Sequence, residues 1–292
     1  MKVAIYGRSF EDSFSEYVQE LFDTLAKFGW GITIYEPYSS YLRPRLNLTD
    51  NLSTFNKHHE IKDDVNLMIS IGGDGTFLET IHIVKDSGIP ILGVNAGRLG
   101  FLASTQKEDI AAVLLDIKVG QYRLQERSLL ELSSNVDLFK DENFALNELT
   151  VHKKDSSSMI TIHTYIDDLY LNSYWADGLI IATPTGSTAY SLSCGGPILV
   201  PGARDFIITP IAPHNLNVRP VVVPDSRKIS LKIEGRSKEF LCSMDSRSVS
   251  IDSSMELNIT RADFKINIIQ TENQNFLNTI RNKMMWGLDR RN

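Results

Sequence analysis

NLMISIGGDGTFLETIHIVK, residues 66–85, reads as an apolar strand, Asn66–Ile71, running into Gly72 and Gly73 and then into a helix from Thr76 to about Lys85. A strand that ends in glycine and hands over to a helix is the repeating unit of a parallel sheet, whose strands need crossover connections. The same alternation extends to both sides of this segment. Lys2–Tyr6 is a short apolar strand, and Phe14, Tyr17, Val18, Leu21, Phe22 and Leu25 then recur at helical spacing. Gly29 and Gly31 end that helix before the strand Ile32–Tyr35, and Ile89–Val94 follows the central helix. Glu36–Asp64 is polar and poorly periodic and reads as a long loop with a short helix.

Beyond a helix at about Glu108–Lys118 the pattern changes. Short β-like runs follow at Ser128–Leu132, Ala145–Val151, Met159–Ile166, Leu179–Ala182, Phe206–Ile211, Ile229–Ile233, Val249–Ile251 and Phe264–Ile269. Phe276, Leu277, Ile280, Met284 and Trp286 then form a rough apolar stripe on a terminal helix. The expected architecture is an α/β domain over 1–105, a parallel sheet with helices, completed by the terminal helix 272–292. An all-β, sandwich-like domain occupies 106–271.

Composition narrows the function classes. With 42% hydrophobic and 23% charged residues in 292, the chain can bury a sizeable core. No segment reaches the ~18 uninterrupted apolar residues of a membrane span, and the start lacks a signal peptide pattern. A net charge of −6 argues against a general nucleic-acid surface. Cys194 and Cys242 are too few for a disulfide framework and read as reduced thiols of a cytoplasmic protein. His58, His59, His152 and His163 lack metal-ligand spacing, the serines lack a G-x-S-x-G elbow, and Ser156–Ser158 reads as a solvated turn.

Three constellations carry chemistry. In Gly72-Gly73-Asp74-Gly75-Thr76, glycines let a phosphate approach the backbone, and Asp74 brings a carboxylate beside it. That carboxylate suits either a general base toward a hydroxyl or a partner for a divalent metal. The turn is neither a Walker loop nor G-x-G-x-x-G, and Gly7 alone follows the first strand. Asn147-Glu148 lies in the apolar strand Phe144–Val151, where neither residue is favoured by β-propensity. One can face a ligand while the other meets solvent or a domain interface, but taken alone the pair reads better as exposed polar residues on an edge strand. The densest block runs from Asp177-Gly178 through Thr183-Pro-Thr-Gly-Ser-Thr-Ala-Tyr-Ser191 to Gly196-Pro197. A buried strand, Leu179–Ala182, delivers hydroxyls and free amides to a helix start, a surface for oxygen-rich ligands.

In this order the blocks resemble the NAD kinase family: GGDGTFL at 72–78, NEL at 147–149 and DGLIIATPTGSTAYSLSCGGPI at 177–198. NAGRLGFLA at 95–103 and PIAPHNLNVRP at 210–220 look like further blocks of it. A GGDGT turn is shared with phosphofructokinases and diacylglycerol- or sphingosine-type lipid kinases, whereas TPTGSTAYSLS is specific. The resemblance implies phosphoryl transfer from ATP to the 2′-hydroxyl of the adenosine ribose of NAD. Asp74 would be the base, Gly72, Gly73 and Gly75 would hold phosphates, and Mg²⁺ or Mn²⁺ would accompany ATP. It further implies that Asn147 and Glu148 bind the adenosine and ribose groups and that Asp177 contacts the nicotinamide side. Thr185, Thr188, Ala189, Tyr190, Ser191, Leu192 and Ser193 would line the adenine and ribose pockets, with Phe101 against adenine and Ala212 nearby. A homodimer or homotetramer is implied too. Two departures, Trp175 before Asp177 and Asp245-Ser246-Arg247 in place of Asp-Gly-Gln, fall at the nicotinamide end. The rival readings are a lipid kinase and a dinucleotide sensor without turnover.

Overall fold

Helix and strand in the first third sort by where their apolar residues fall. The computed structural model describes residues 1–49, 52–97, 100–154, 158–272 and 275–284. Arg98, Leu99, Ser156, Ser157 and Trp286, named above, lie outside the described residues. The chain forms two compact units, Met1–Glu126 with Ile266–Asn292, and Arg127–Lys265.

In the first unit, β1 (Lys2–Gly7), α1 (Ser15–Lys27), β2 (Gly31–Tyr35), α2 (Glu36–Leu42), β3 (Ser53–Phe55), β4 (Leu67–Gly72), α3 (Asp74–Val84), β5 (Ile91–Asn95) and α4 (Ile110–Val119) follow one another. The strands lie parallel in the order β5-β4-β1-β2-β3. Leu67–Ile71 is buried at every position, as expected of a parallel strand covered on both faces. Val18, Leu21, Phe22 and Leu25 of α1 pack into the same core as Val3, Ile5, Ile69 and Ile71. The polar segment after Glu36 contains a strand the sequence did not signal, because only Phe55 of β3 is buried. Ile110, Val113, Leu114 and Ile117 of α4 join this core, so the units divide at Glu126/Arg127 rather than near residue 105. Strand order reverses between β1 and β4, and the crevice at the carboxyl ends of such a pair is where open α/β sheets bind ligands. The glycine turn leaves the sheet there.

The second unit begins within β6 (Arg123–Ser134) and continues with β7 (Phe144–Ala145), β8 (Glu148–Lys153), β9 (Ile160–Ile166), β10 (Leu169–Ala176), β11 (Gly178–Ala182), α5 (Tyr190–Ser193), β12 (Asp205–Ile211), β13 (Val221–Pro224), β14 (Ile229–Glu234), β15 (Phe240–Met244), β16 (Arg247–Ile251) and most of β17 (Glu256–Gln270). One antiparallel sheet has the order β13-β12-β11-β8-β15-β16, and β10, β9, β14 and β17 pair in a second. Leu149, Val151, Ile181 and Phe206 from one sheet share a core with Ile162, Leu231 and Ile259 from the other. In β14 the alternation is direct: Ile229, Leu231 and Ile233 are buried, while Lys232 and Glu234 face water. After its last residues, α6 (Phe276–Met284) completes the first unit, with Ile280 buried. No described helix is long and apolar enough to cross a membrane.

The expected strand Phe144–Val151 is broken. β7 ends at Ala145 and β8 begins at Glu148, leaving Leu146 and Asn147 outside either ladder. The cause lies in the site.

Candidate active site

In the first unit the site is organised by one carboxylate. Asp74 is the first residue of α3, after Gly73 in extended conformation. Its Oδ2 accepts the backbone N–H of Phe101 at 2.9 Å, and its Oδ1 accepts those of Leu102 and Ala103, each at 3.0 Å. An ionised carboxylate has about four acceptor positions, so most are engaged. Gly100 fits because a Cβ there would overlap that carboxylate. Gly73 and Gly75, by contrast, have open space where a side chain would stand, so a ligand can reach their backbone. Lys283 of α6 places its Nζ 3.7 Å from Asp74 Oδ2 and 4.5 Å from the centre of the Phe101 ring. The Phe101 and Phe276 rings pack with centroids 6.4 Å apart. Beside the glycine turn, Arg8 pairs through two nitrogens with Glu79 of α3, at 2.7 and 2.8 Å.

In the second unit a second carboxylate plays the equivalent part. Asp245, half-buried in the turn between β15 and β16, accepts the backbone N–H groups of Leu146 (2.9 Å), Asn147 (2.8 Å) and Glu148 (3.2 Å). Three charge-assisted bonds from one side chain pull this segment out of the ladder, which is why the strand breaks. Burial holds the Asp245 carboxyl above its usual range, opposed by those same amides. Glu148 Oε2 is buried without a hydrogen-bond partner. Burial first, and the Asp245 charge second, push its carboxyl up to about 8. Asn147 and Glu148 therefore do not form an exposed edge pair.

The Thr183–Ser193 block packs directly on this segment. Thr183 Oγ1 donates to the Leu146 carbonyl at 2.5 Å, and the Asn147 carbonyl accepts the Thr183 N–H at 2.8 Å. A Cβ at Gly186 would overlap the Asn147 carbonyl, so the approach requires glycine. Many hydroxyls in the block serve its own folding: Ser187 bonds Pro184, Thr188 bonds Thr185, and Ser191 bonds Thr209. Thr185 accepts from Arg127 at 3.3 Å, whose deep burial lowers its guanidinium to about 10. Tyr190 and Ser193 are exposed, Ala189 and Leu192 partly so, and Ala212 stands exposed with φ +44° after β12. Asp177 forms a 2.5 Å ion pair with Lys153. Trp175 stacks on His214 with ring centroids 4.2 Å apart.

Residues 3–122 match the model of the ATP-NAD kinase N-terminal domain, and residues 146–271 that of its C-terminal domain. The chain belongs to the NAD kinase family. It is 48% identical to the NAD kinase of Flavobacterium psychrophilum and 49% identical to that of Cytophaga hutchinsonii, each over 100% of both chains. Among solved structures it is similar to yeast NADH kinase complexed with NADH, with TM-score 0.88 and 24% identity over 99% of this chain and 89% of that one. An Archaeoglobus fulgidus NAD kinase in complex with ATP gives TM-score 0.73 at 24% identity, over 96% and 99%. The chain is thus an enzyme, a phosphotransferase acting on NAD, with an α/β N-terminal and a β-rich C-terminal architecture.

Within this NAD kinase fold the first unit gathers Gly72, Gly73, Asp74, Gly75 and Phe101, and the second gathers Asn147, Glu148 and the Thr183–Ser193 block. Sequence reasoning missed Lys153, Arg127 and Lys283, which no motif marks. It noted Asp245 only as part of a departing tripeptide; an Asp in a two-residue turn between short strands was the available signal. Among the described residues no three His, Cys, Asp or Glu side chains converge into a metal cage. A Mg²⁺-type ion carried on a triphosphate needs only one or two protein carboxylates.

Proposed function

We propose that the enzyme transfers the γ-phosphoryl group of ATP to the 2′-hydroxyl of the adenosine ribose of NAD, with Asp74 serving that hydroxyl. The carrying observation is the fixed direction of the Asp74 carboxylate, held by the amides of Phe101, Leu102 and Ala103 beside open glycine backbone. A bond forms between the ribose 2′-oxygen and the γ-phosphorus as the bond from that phosphorus to the β,γ-bridging oxygen breaks. The hydroxyl proton passes to Asp74, and ADP and NADP leave. Gly72, Gly73 and Gly75 hold phosphate oxygens through the backbone, and a divalent cation, Mg²⁺ or Mn²⁺, neutralises their charge. A secondary hydroxyl is a weak nucleophile, and a positioned carboxylate supplies what it lacks.

Asn147 and Glu148 bind the adenosine portion, Asp177 the nicotinamide side, and Thr185 with Thr188–Ser193 the adenine and ribose walls, with Phe101 and Ala212 adjoining. The enzyme works in the cytoplasm as a homodimer or homotetramer, for which exposed Leu169, Tyr170 and Trp175 supply apolar area. The test is NADP formation from NAD, ATP and Mg²⁺, read with an NADP-specific dehydrogenase, for the wild type and Asp74→Asn. NADP that requires ATP and metal and vanishes in the variant supports the reading. Undiminished turnover by Asp74→Asn would remove Asp74 from its role.

A further inference from the structure

The terminal helix α6 turns one face toward the glycine-turn carboxylate. Phe276, Ile280 and Lys283 are spaced four and three residues apart and so lie on one side of the helix. Ile280, 4% exposed, anchors it in the first unit. Phe276 packs against Phe101, and Lys283 reaches past the same ring to Asp74. Phe101 also donates its N–H to Asp74 Oδ2. The lysine, the ring and the carboxylate therefore form one contiguous group built from three separate chain segments.

The Lys283–Asp74 distance carries the argument. At 3.7 Å it is an ion pair longer than a charge-assisted hydrogen bond, which typically spans about 2.7–2.9 Å. The ammonium is attracted to the carboxylate without being consumed by it. Both side chains are about one-third exposed, at 34% and 32%, so the group can be reached from solvent. Asp74 already accepts three backbone N–H groups, so the lysine is not needed to satisfy it. What the carboxylate does lack is protection from a second anion. A phosphoryl group brought against Asp74 repels it unless a cation stands between them. Among the described residues, Lys283 is the cationic side chain in an ion pair with Asp74.

We infer that Lys283 is a catalytic cation of the phosphoryl transfer, resting against Asp74 and moving onto the oxygens of the transferred phosphoryl group when the triphosphate binds. A lysine suits this task because its ammonium is a compact charge on a flexible stem, with three donors that can change partners. The ammonium itself rests over the Phe101 ring, 4.5 Å from its centre, so the ring marks where its swing toward the phosphoryl oxygens begins. Its arrival on the phosphoryl oxygens stabilises the charge redistributed during transfer and releases Asp74 Oδ2 toward the hydroxyl proton. This inference rests on the reading of Asp74 given above.

The test compares Lys283→Met, which keeps an apolar stem against Phe101 and removes the charge, with Lys283→Arg, which keeps the charge. For each, kcat and the KM values for ATP and for NAD are measured with saturating Mg²⁺, and thermal unfolding reports the fold. The expected result is a loss of kcat of at least about 10-fold in Lys283→Met with a raised KM for ATP and a KM for NAD within about twofold of wild type. Lys283→Arg recovers most of the loss, and both unfold near the wild-type temperature. A Lys283→Met enzyme with wild-type kcat and KM for ATP overturns the inference. Equal losses in Met and Arg variants that track a lowered unfolding temperature overturn it too, reducing Lys283 to a packing role. Asp74→Asn, assayed in parallel, separates the two claims. An inactive Asp74→Asn beside an unaffected Lys283→Met sinks the lysine alone, and an active Asp74→Asn sinks the reading beneath it.

Discussion

Asp245 Oδ1 accepts the backbone N–H of Asn147 at 2.8 Å, tying together residues 98 positions apart in the chain. The same carboxylate takes the N–H groups of Leu146 and Glu148, so one side chain sets the backbone path of the Asn147–Glu148 pair. Arg247, two residues on, donates to the carbonyls of Glu142 and Phe144 on the same stretch of chain. The Asp-Ser-Arg turn thus acts on residues 142–148 as a clamp, through donors and acceptors together.

Removing Asp245 should therefore damage NAD binding and stability at once. Asp245→Ala leaves three amides without their acceptor in a buried place, at about 1–3 kcal/mol for each group left unsatisfied. The expected outcome is a raised KM for NAD, an unchanged KM for ATP, and a clearly lowered urea midpoint. A KM for NAD equal to wild type would show that the Asn147–Glu148 path does not depend on this clamp.

Glu148 gives a pH signature with a definite sign. Its folded-state carboxyl titrates at about 8 against an ordinary value of 4.5. Between those values the folded state holds a proton that the unfolded state has lost. The stabilisation is present below 4.5 and is lost as pH rises through 8, with a slope of at most about 1.4 kcal/mol per pH unit. Asp245, also raised by burial, slopes the same way. Hence the readout is the difference between wild type and Glu148→Gln. From pH 5.5 to 8.5 the wild-type urea midpoint should fall more steeply than that of Glu148→Gln. Parallel curves would mean that Glu148 is ionised throughout.

The sequence made the architecture legible wherever burial was one-sided or complete. Leu179–Ala182 is a continuous apolar run and Leu67–Ile71 is broken only by the buried Ser70, because both are central strands, whereas Ile229–Ile233 alternates because only one face is covered. β3 escaped notice because a single residue, Phe55, carries its burial. Asn147-Glu148 was noticed for the right reason, polarity in an apolar run. Its cause was hidden, since Asp245 lies 98 residues away from Asn147 and no local pattern encodes that bond. Lys283 was invisible likewise: a lysine near the end of an amphipathic helix is ordinarily a solvated charge, and only the folded chain sets it beside Asp74. The Thr183–Ser193 block was read as a surface of hydroxyls for an oxygen-rich ligand, yet Ser187 bonds Pro184 within the turn and Ser191 bonds Thr209 of β12.

Asp74→Asn alters more than a proton acceptor. If the amide oxygen takes the Oδ1 position, the bonds from Leu102 and Ala103 survive, and the amide NH₂ then faces the Phe101 N–H. One donor–donor conflict costs about 1–3 kcal/mol, well short of unfolding a domain of this size. Activity should fall about 10²- to 10⁴-fold, the usual span of general base catalysis, while NAD titrated by calorimetry still binds. Loss of NAD binding together with turnover would assign Asp74 to ligand binding rather than to the chemical step.

In each unit one glycine stands against the group that organises its candidate residues. A Cβ at Gly100 overlaps the Asp74 carboxylate, and one at Gly186 overlaps the Asn147 carbonyl. Gly100→Ala must displace the Asp74 carboxylate, and under the role proposed for it a displacement of about 1 Å costs about 10²-fold in rate. Its expected signature is a low kcat with a near-normal KM for NAD. Gly186→Ala instead pushes the Thr183–Ser187 turn off the Leu146–Asn147 backbone, and Thr183 loses its bonds there. Its signature is a raised KM for NAD with kcat largely kept at saturation. Steady-state kinetics on both variants, with circular dichroism to show that each is folded, checks the assignment. The opposite pattern, kcat lost at Gly186 and KM at Gly100, would exchange the roles given to the Asp74 and Asn147 regions.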